Sequence, residues 1–259
     1  MVAEAEENNL DHDALGERWA RWYTCGLCEQ DYYGFVDCAL GWACWKTYLG
    51  RPEGDGARRL AMNVLANGLN QAGHHEDALP VREAELFMLR RVGAPEINVL
   101  IAQGNLAHTY AALGRLEEAL PLRQEVYSGR LKLNGEEHTD TLEAALNYAA
   151  SLVKLRRFEE ANSLFRKTMP VARRVLGEGH ELTIRMRMMY VVALYSDPAA
   201  MRDDLREAVT TIEETERTAR RVFGGAHPLT EGIEAALRNA RTMLRRRELP
   251  PPPPPSGSL

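Results

Sequence analysis

The sequence predicts an all-α protein, an α-solenoid built from stacked helical hairpins. One observation is a series of alanines that recur at spacings of 41, 42 and 47 residues: Ala78, Ala119, Ala161 and Ala208. A second is a series of glycines that recur at spacings of 42, 42 and 47 residues: Gly93, Gly135, Gly177 and Gly224. Two independent landmarks in one register indicate a true repeat, and self-similarity at such a period is typical of solenoids. Runs of β-branched residues at period two, which would predict strands, are absent.

Within a repeat, the apolar residues recur at helical spacing. In the second repeat this spacing places four residues on one face of a first helix: Leu106, Ala107, Tyr110 and Leu113. Gly114 ends that helix, and a second helix follows from Leu116 until the polar stretch NGEEHTDT. Small residues occupy the positions where the two helices of a hairpin must approach closely: Ala107, Ala119, Ala149 and Ala161. Since one hairpin cannot bury its apolar face alone, neighbouring hairpins are expected to stack.

The stretch NLAHTYAALGRLEEAL, which begins at Asn105, carries a family resemblance. Its pattern resembles a tetratricopeptide repeat, and the long repeat with its LGxxHPxT linker is similar to the kinesin light chain variety. The resemblance covers about Arg58 to Glu248 and implies a right-handed solenoid whose first helices line a concave groove that holds peptides. Repeat one departs from the pattern because its linker VGAPEINVL lacks the histidine, and repeat three has Arg156 where the motif has glycine.

Three linkers between repeats carry a histidine three residues after a glycine: His138, His180 and His227. Because they stand one per repeat, displaced along the solenoid, they are not expected to converge on one metal ion. We predict instead that each histidine forms a hydrogen bond at a helix end. A threonine three residues further on is expected to help start the next helix, at Thr141, Thr183 and Thr230.

The composition divides the chain into four segments. Residues 1–18 are polar and are expected to be disordered, and residues 19–57 form a cap segment rich in cysteine and aromatic residues. Residues 58–248 hold four repeats and a capping helix. The tail, residues 249–259, contains six consecutive prolines, which impose polyproline II. This tail is expected either to contact an SH3, WW or profilin-type groove or to act as a solvated spacer.

Cys25 and Cys28 form a C-x-x-C pair in the cap segment. Three interpretations stay open for them. They are half of a zinc site, a redox pair, or plain thiols. The pair resembles the closing pair of a RING-type finger, which implies zinc as cofactor and ubiquitin-ligase activity as the alternative function. A complete finger needs further ligands, and His12 is the only upstream candidate.

The cap segment also contains a predicted helix, FVDCALGWACWKTYL, which ends at Gly50. Cys38 and Cys44 lie six residues apart on it. That spacing separates them by about 9 Å along the helix axis. The two thiolates of one zinc site must lie within about 4 Å of each other, so these cysteines are not expected to share an ion. We expect the helix to dock on the first repeat through four residues: Trp42, Trp45, Tyr48 and Leu49.

The first helices supply the candidate binding residues. Asn105 and Asn147 occupy equivalent positions of repeats two and three, and an amide pairs with a peptide backbone without dictating its sequence. The other candidates assigned to the same groove are Asn67, His108, Lys154 and Arg185. Alternatively, the two amides only cap or bridge neighbouring helices.

Motifs for nucleotide binding, nucleophilic catalysis or metal-dependent hydrolysis are absent, so no enzymatic activity is predicted. The net charge of −5 favours neither nucleic acid nor an anionic membrane as partner. Apolar runs stay well short of the roughly 20 residues that cross a bilayer, so no membrane insertion is predicted. The polar, acidic start and the cysteine usage predict a cytoplasmic protein. The favoured function is a non-enzymatic scaffold that binds a peptide or a partner helix.

Overall fold

Helices follow one another along the chain in the computed structural model, which describes residues 16–17 and 19–248. Ten helices of 14 or more residues lie within these residues: α1 (Phe35–Tyr48), α2 (Gly56–Gln71), α3 (His75–Arg91), α4 (Glu96–Ala112), α5 (Leu116–Asn134), α6 (Thr139–Lys154), α7 (Phe158–Leu176), α8 (Glu181–Ser196), α9 (Arg202–Phe223) and α10 (Pro228–Glu248). In the same residues the β pairing is one isolated bridge, between Thr24 and Asp31. The all-α prediction is confirmed.

The chain forms two compact units that divide within α5. The N-terminal unit ends at Leu122 and the C-terminal unit begins at Arg123. In the N-terminal unit, α1 packs on α2, α2 on α3, and α3 on α4. In the C-terminal unit consecutive helices from α6 to α10 pack in the same way, and α8 also contacts α6 and α10. These contacts are those of sequential stacked hairpins, as the repeat predicted.

The four repeated alanines are fully buried: Ala78, Ala119, Ala161 and Ala208. Ala78, Ala119 and Ala161 are each the fourth residue of the second helix of their hairpin, and Ala208 is the seventh residue of α9. A bulkier side chain at such a position would overpack the interior at a cost of about 1–3 kcal/mol. The recurrence of alanine in each repeat thus reflects the close approach of helices within each hairpin.

The turn inside each of the first three hairpins uses a left-handed backbone. Gly73 and Gly114 adopt φ angles of 80° and 75°, and Arg156 adopts 60° at the matching position of the third hairpin. Only glycine adopts this conformation without a steric penalty, because it has no Cβ. The departure of repeat three from the family pattern therefore places a strained arginine in an otherwise shared turn.

The linker histidines are helix N-caps, as predicted. Nδ1 of His138 accepts a 3.2 Å hydrogen bond from the backbone N–H of Asp140. His227 accepts an equivalent 3.2 Å bond from the N–H of Leu229. Each bond satisfies one of the backbone donors that the first turn of a helix leaves without a partner.

The hydroxyls of the linker threonines bond to backbone carbonyls of the preceding segment. The hydroxyl of Thr141 donates to the carbonyl of Arg130 at 3.2 Å, and that of Thr230 donates to the carbonyl of Gly224 at 2.9 Å. The hydroxyl of Thr183 donates to the carbonyl of Ala172 at 3.4 Å. All three threonines are buried in the first turn of the next helix, and their hydroxyls bond that turn to the preceding segment. The expectation that they help to start the next helix stays a prediction.

The cap helix α1 docks on α2 through small residues. A Cβ added to Gly41 would lie 2.9 Å from the Cα of Leu65, and one added to Gly68 would lie 2.7 Å from the carbonyl oxygen of Asp37. The two backbones thus nearly touch. The side chains buried beside this contact are Cys38, Cys44 and Tyr48, while Trp45 is half-buried.

Two of the residues predicted to dock the cap helix do not. Trp42 and Leu49 are 44% and 51% exposed, so this part of the prediction is wrong. The docking face is set by the close backbone approach at Gly41, with Tyr48 and Trp45 packed beside it, and Trp42 and Leu49 lie outside that face.

Some predictions fall outside the described residues. The expected disorder of residues 1–18 and the proline-rich tail at residues 249–259 lie there almost entirely and stay predictions. Within the part of the chain that the structure covers, no helix is both long enough and apolar enough to cross a bilayer.

Candidate functional site

The candidate binding residues all lie on the first helices of the hairpins. In the N-terminal unit they are Asn67 on α2 with Asn105 and His108 on α4. In the C-terminal unit they are Asn147 and Lys154 on α6 with Arg185 on α8.

Asn67 is bonded to its neighbours within the N-terminal unit. Its Nδ2 donates to Oδ1 of Asn63 at 2.9 Å, and its Oδ1 accepts a hydrogen bond from the guanidinium of Arg82. Arg82 also pairs with Glu85 at 3.1 Å, and both side chains are almost fully buried. Breaking such a buried pair costs about 3–5 kcal/mol, so the amide of Asn67 supports an ion pair on which the fold depends.

The neighbouring Asn70 is bonded as well. Its Nδ2 donates to the hydroxyl of Thr109 at 2.9 Å, and its Oδ1 lies 3.0 Å from Nδ1 of His75. This amide joins α2 to α4 and to the start of α3. The asparagines of the first repeat thus hold helices together.

Asn105 and Asn147 differ from these asparagines. Asn105 is half-buried and Asn147 is exposed. Their backbone carbonyls accept hydrogen bonds, from the hydroxyl of Thr109 at 3.2 Å and from the guanidinium of Arg123 at 2.8 Å. Their side-chain amides have no hydrogen-bond partner among the residues that the structure describes. Each amide therefore keeps two donors and an acceptor oxygen for a ligand.

Arg123 adds a positive charge beside Asn147. Its Nη1 donates to the Asn147 carbonyl and, at 2.7 Å, to Oγ of Ser151. Burial lowers the pKa of Arg123, and within the described chain no carboxylate forms an ion pair with it. Sequence reasoning missed this residue because it lies on the second helix α5. Ser151, one helical turn after Asn147, was the only signal for it.

The remaining candidates lie at the surface. His108 is exposed on α4, at the position that matches Asn67 of α2, 41 residues earlier. Lys154 is exposed in the last turn of α6. Arg185 on α8 lies 3.9 Å from the carboxylate of Glu181, a surface pair that partly offsets its charge. Such pairs contribute at most about 1 kcal/mol, so Arg185 can exchange this partner for a ligand.

Cys25 lies in a tight turn with Cys28. The backbone N–H of Leu27, then that of Cys28, lowers the pKa of the Cys25 thiol to about 7. By contrast, burial raises the pKa of Cys44 to about 12. Cys38 and Cys44 lie on one continuous helix, as predicted, so that geometry keeps them from sharing an ion.

The metal prediction stays a prediction. In residues 16–17 and 19–248, no group of three or more histidine, cysteine, aspartate or glutamate side chains is placed to hold a metal ion. His12, the further candidate ligand, lies outside the described residues. A zinc site at Cys25 and Cys28, and the ubiquitin-ligase alternative that depends on it, are therefore untested.

Comparison with known proteins identifies the repeat. Residues 98–174 match the family model of the tetratricopeptide repeat. This match shows tetratricopeptide repeats within residues 98–174, and the stacked hairpins on either side have the same helical arrangement. Among curated proteins, no sequence matches the chain significantly.

Two of the solved structures that the chain resembles are of the kinesin light chain-like type, and a third is a Rap protein. The chain is similar to BtubC (BKLC) from P. vanneervenii, at 17% identity and a TM-score of 0.60, over 86% of this chain and 96% of that one. A Podospora anserina protein with nearly identical kinesin light chain TPR-like repeats gives 19% identity and a TM-score of 0.62, over 77% of this chain and 90% of that one. A Rap protein complexed with Competence and Sporulation Factor gives 15% identity and a TM-score of 0.51, over 82% of this chain and 60% of that one.

Proposed function

We propose that this protein is a non-enzymatic scaffold that binds a peptide or a partner helix through the first helices of its repeats. The tetratricopeptide fold is generally a protein-interaction module. The observation that carries the proposal is the contrast among asparagines. Asn67 and Asn70 are bonded within the fold, whereas the amides of Asn105 and Asn147, at equivalent positions of successive repeats, have no partner among the described residues.

The chemistry of these groups suits a peptide main chain. An amide offers a donor and an acceptor together, which matches one peptide unit of a ligand. In the C-terminal unit, the charges of Arg123, Lys154 and Arg185 would favour an acidic stretch of the partner and raise its association rate at low salt. The structure of the Rap protein complexed with Competence and Sporulation Factor supports the proposal, because a protein of similar fold binds a partner there. The free state of all four cysteines supports a cytoplasmic location.

The test is a titration of a partner that co-purifies with the full chain. A bound peptide would cover both amides, and removing a buried hydrogen-bond partner costs about 1–3 kcal/mol, so Asn105→Ala with Asn147→Ala should weaken binding more than tenfold. Helicity and melting temperature should stay unchanged, because neither amide bonds within the described fold.

The matched control is Asn134→Ala, which removes an amide from the second helix α5. This variant should bind as the wild type does. Equal affinity of the wild type and the double variant, with both folded, would contradict the proposal.

A further inference from the structure

The cap segment leaves a cleft of about 340 Å³ against α2, within the N-terminal unit. A short hairpin forms one side of it. The N–H of Tyr32 donates to the carbonyl of Tyr23 at 2.8 Å, and Thr24 bridges to Asp31. The other side is the face of α2 that carries Leu60 and Asn67. The volume lies at the lower end of the range of roughly 300–1,000 Å³ that is typical of ligand pockets.

The walls of the cleft are aromatic. Tyr23, Tyr32 and Tyr33 line it, together with Trp19. Tyr33 is 73% exposed and Tyr23 is 42% exposed, so their rings are accessible. Aromatic faces attract cations through their negative π surfaces.

A buried carboxylate also lines the cleft. Asp37 is only 3% exposed, and its Oδ2 has no hydrogen-bond partner in the part of the chain that the structure describes. Burial, and then the nearby charge of Asp31, raises the pKa of Asp37. Asp31 is the second carboxylate of the lining, and no lysine or arginine is among the described residues that line it. An unpaired buried oxygen is costly, so a ligand that donates to it gains binding energy.

The cleft opens on the helix face that carries the proposed binding residues. Leu60 and Asn67 of α2 correspond to Ile101 and His108 of α4, each 41 residues later. Val64, which also lines the cleft, corresponds in the same way to Asn105. A partner segment that lies along the first helices would therefore have a side chain within reach of the cleft.

We propose that this cleft binds the basic side chain, lysine or arginine, of a partner protein. The cationic group donates a hydrogen bond to Oδ2 of Asp37, and the faces of the tyrosine rings attract its positive charge. The aliphatic stem packs on Leu60. An acidic ligand would be repelled by the two carboxylates, and a neutral apolar one would leave Asp37 unpaired. That the ligand is a segment of a protein rests on the proposed function. That its side chain is positively charged is inferred from the residues of the cleft alone.

The experiment titrates the isotope-labelled full chain with Nα-acetyl-lysine amide and Nα-acetyl-arginine amide, followed by NMR shifts of residues around the cleft. At least one basic amide should bind at least tenfold more tightly than Nα-acetyl-norleucine amide, which has an apolar stem without the charge. Asp37→Asn should weaken that binding at least tenfold. Asp203→Asn, which changes the same charge at a 92% exposed side chain in the C-terminal unit, should not.

Two further variants keep the test decisive. Tyr33→Ala removes an exposed wall of the cleft and should weaken binding without unfolding the protein, so it serves if Asp37→Asn does not fold. The Asn105→Ala, Asn147→Ala variant should bind the basic amide as the wild type does, which separates the cleft from the peptide-binding proposal. Equal binding of the norleucine amide, or full binding by both Asp37→Asn and Tyr33→Ala, would overturn the inference.

Discussion

Nδ1 of His180 accepts a 3.2 Å hydrogen bond from the backbone N–H of Leu182, at the first turn of α8. The same bond occurs after His138 and His227, so the three linker histidines share one structural role. They hold helix starts and do not form a common site.

We expect His180→Ala to lower the free energy of unfolding by about 0.5–2 kcal/mol, as the loss of an N-cap does. His180→Asn should keep most of the wild-type stability, because asparagine also caps helices. Chemical denaturation measures both. His74 is the matched control because it lies at the N-cap of α3 without a side-chain cap bond. An equal loss in His74→Ala would show that capping is not the cause.

Arg156→Gly should stabilise the protein by about 1 kcal/mol. The left-handed backbone costs a non-glycine residue about 1–2 kcal/mol. Glycine avoids this cost, but its greater freedom in the unfolded chain offsets part of the gain. The mirror variant, Gly114→Ala, should destabilise it, because Gly114 adopts a φ of 75° at the equivalent turn. Urea unfolding of both variants checks the pair. Destabilisation by Arg156→Gly would mean that the arginine side chain contributes more than its backbone costs.

Gly68→Ala should destabilise the docking of the cap helix by about 1–3 kcal/mol through overpacking. The added methyl group would lie 2.7 Å from a backbone oxygen, which cannot move away as a flexible side chain can. Gly56→Ala, on the same helix with nothing within 4 Å of its Cβ, is the control and should be neutral or slightly stabilising. Thermal melting compares them, and equal melting temperatures would refute the close backbone contact.

Asp37→Asn should be more stable than the wild type at about pH 7 and should lose that advantage at about pH 3. Burial and Asp31 raise the pKa of Asp37, so the fold favours the neutral acid. The stability from this group is fully present below the unfolded pKa, about 3.9, and is lost as the pH rises through the folded value. The side chains that α2 presents to the cleft carry no charge, so Asp31 is the titrating neighbour there.

Melting curves across this pH range test the linkage, with Asp203→Asn as the exposed control. A variant that is less stable than the wild type at neutral pH would show that the charge of Asp37 is used within the fold.

The sequence predicts the repeat well because the residues that define each hairpin recur at a regular spacing along the chain. Ala119 and Ala161 mark close helix contacts, and Gly114 marks a turn, so spacing alone locates the hairpins. Partners that come from another helix leave no such signal. The bond between Asn67 and Arg82 joins residues 15 positions apart on different helices, and sequence reasoning therefore took Asn67 for a free amide.

The cap segment shows the same limit. Helical spacing predicts α1, but the docking face depends on the match between Gly41 and the backbone of α2, which no periodicity reveals. The cleft was missed for a related reason. Tyr23 and Tyr33 lie in irregular structure, and only the fold brings them beside Asp37.

The central claim is that partners bind along the first helices, and site-specific photo-crosslinking tests it most directly. A benzoylphenylalanine is placed at Ile101, a partly exposed residue of the first helix α4, or at Phe87, an exposed residue of the second helix α3. The account predicts that a co-purified partner crosslinks to the probe at position 101 and not to the probe at position 87. Crosslinking at position 87 with none at position 101 would contradict it.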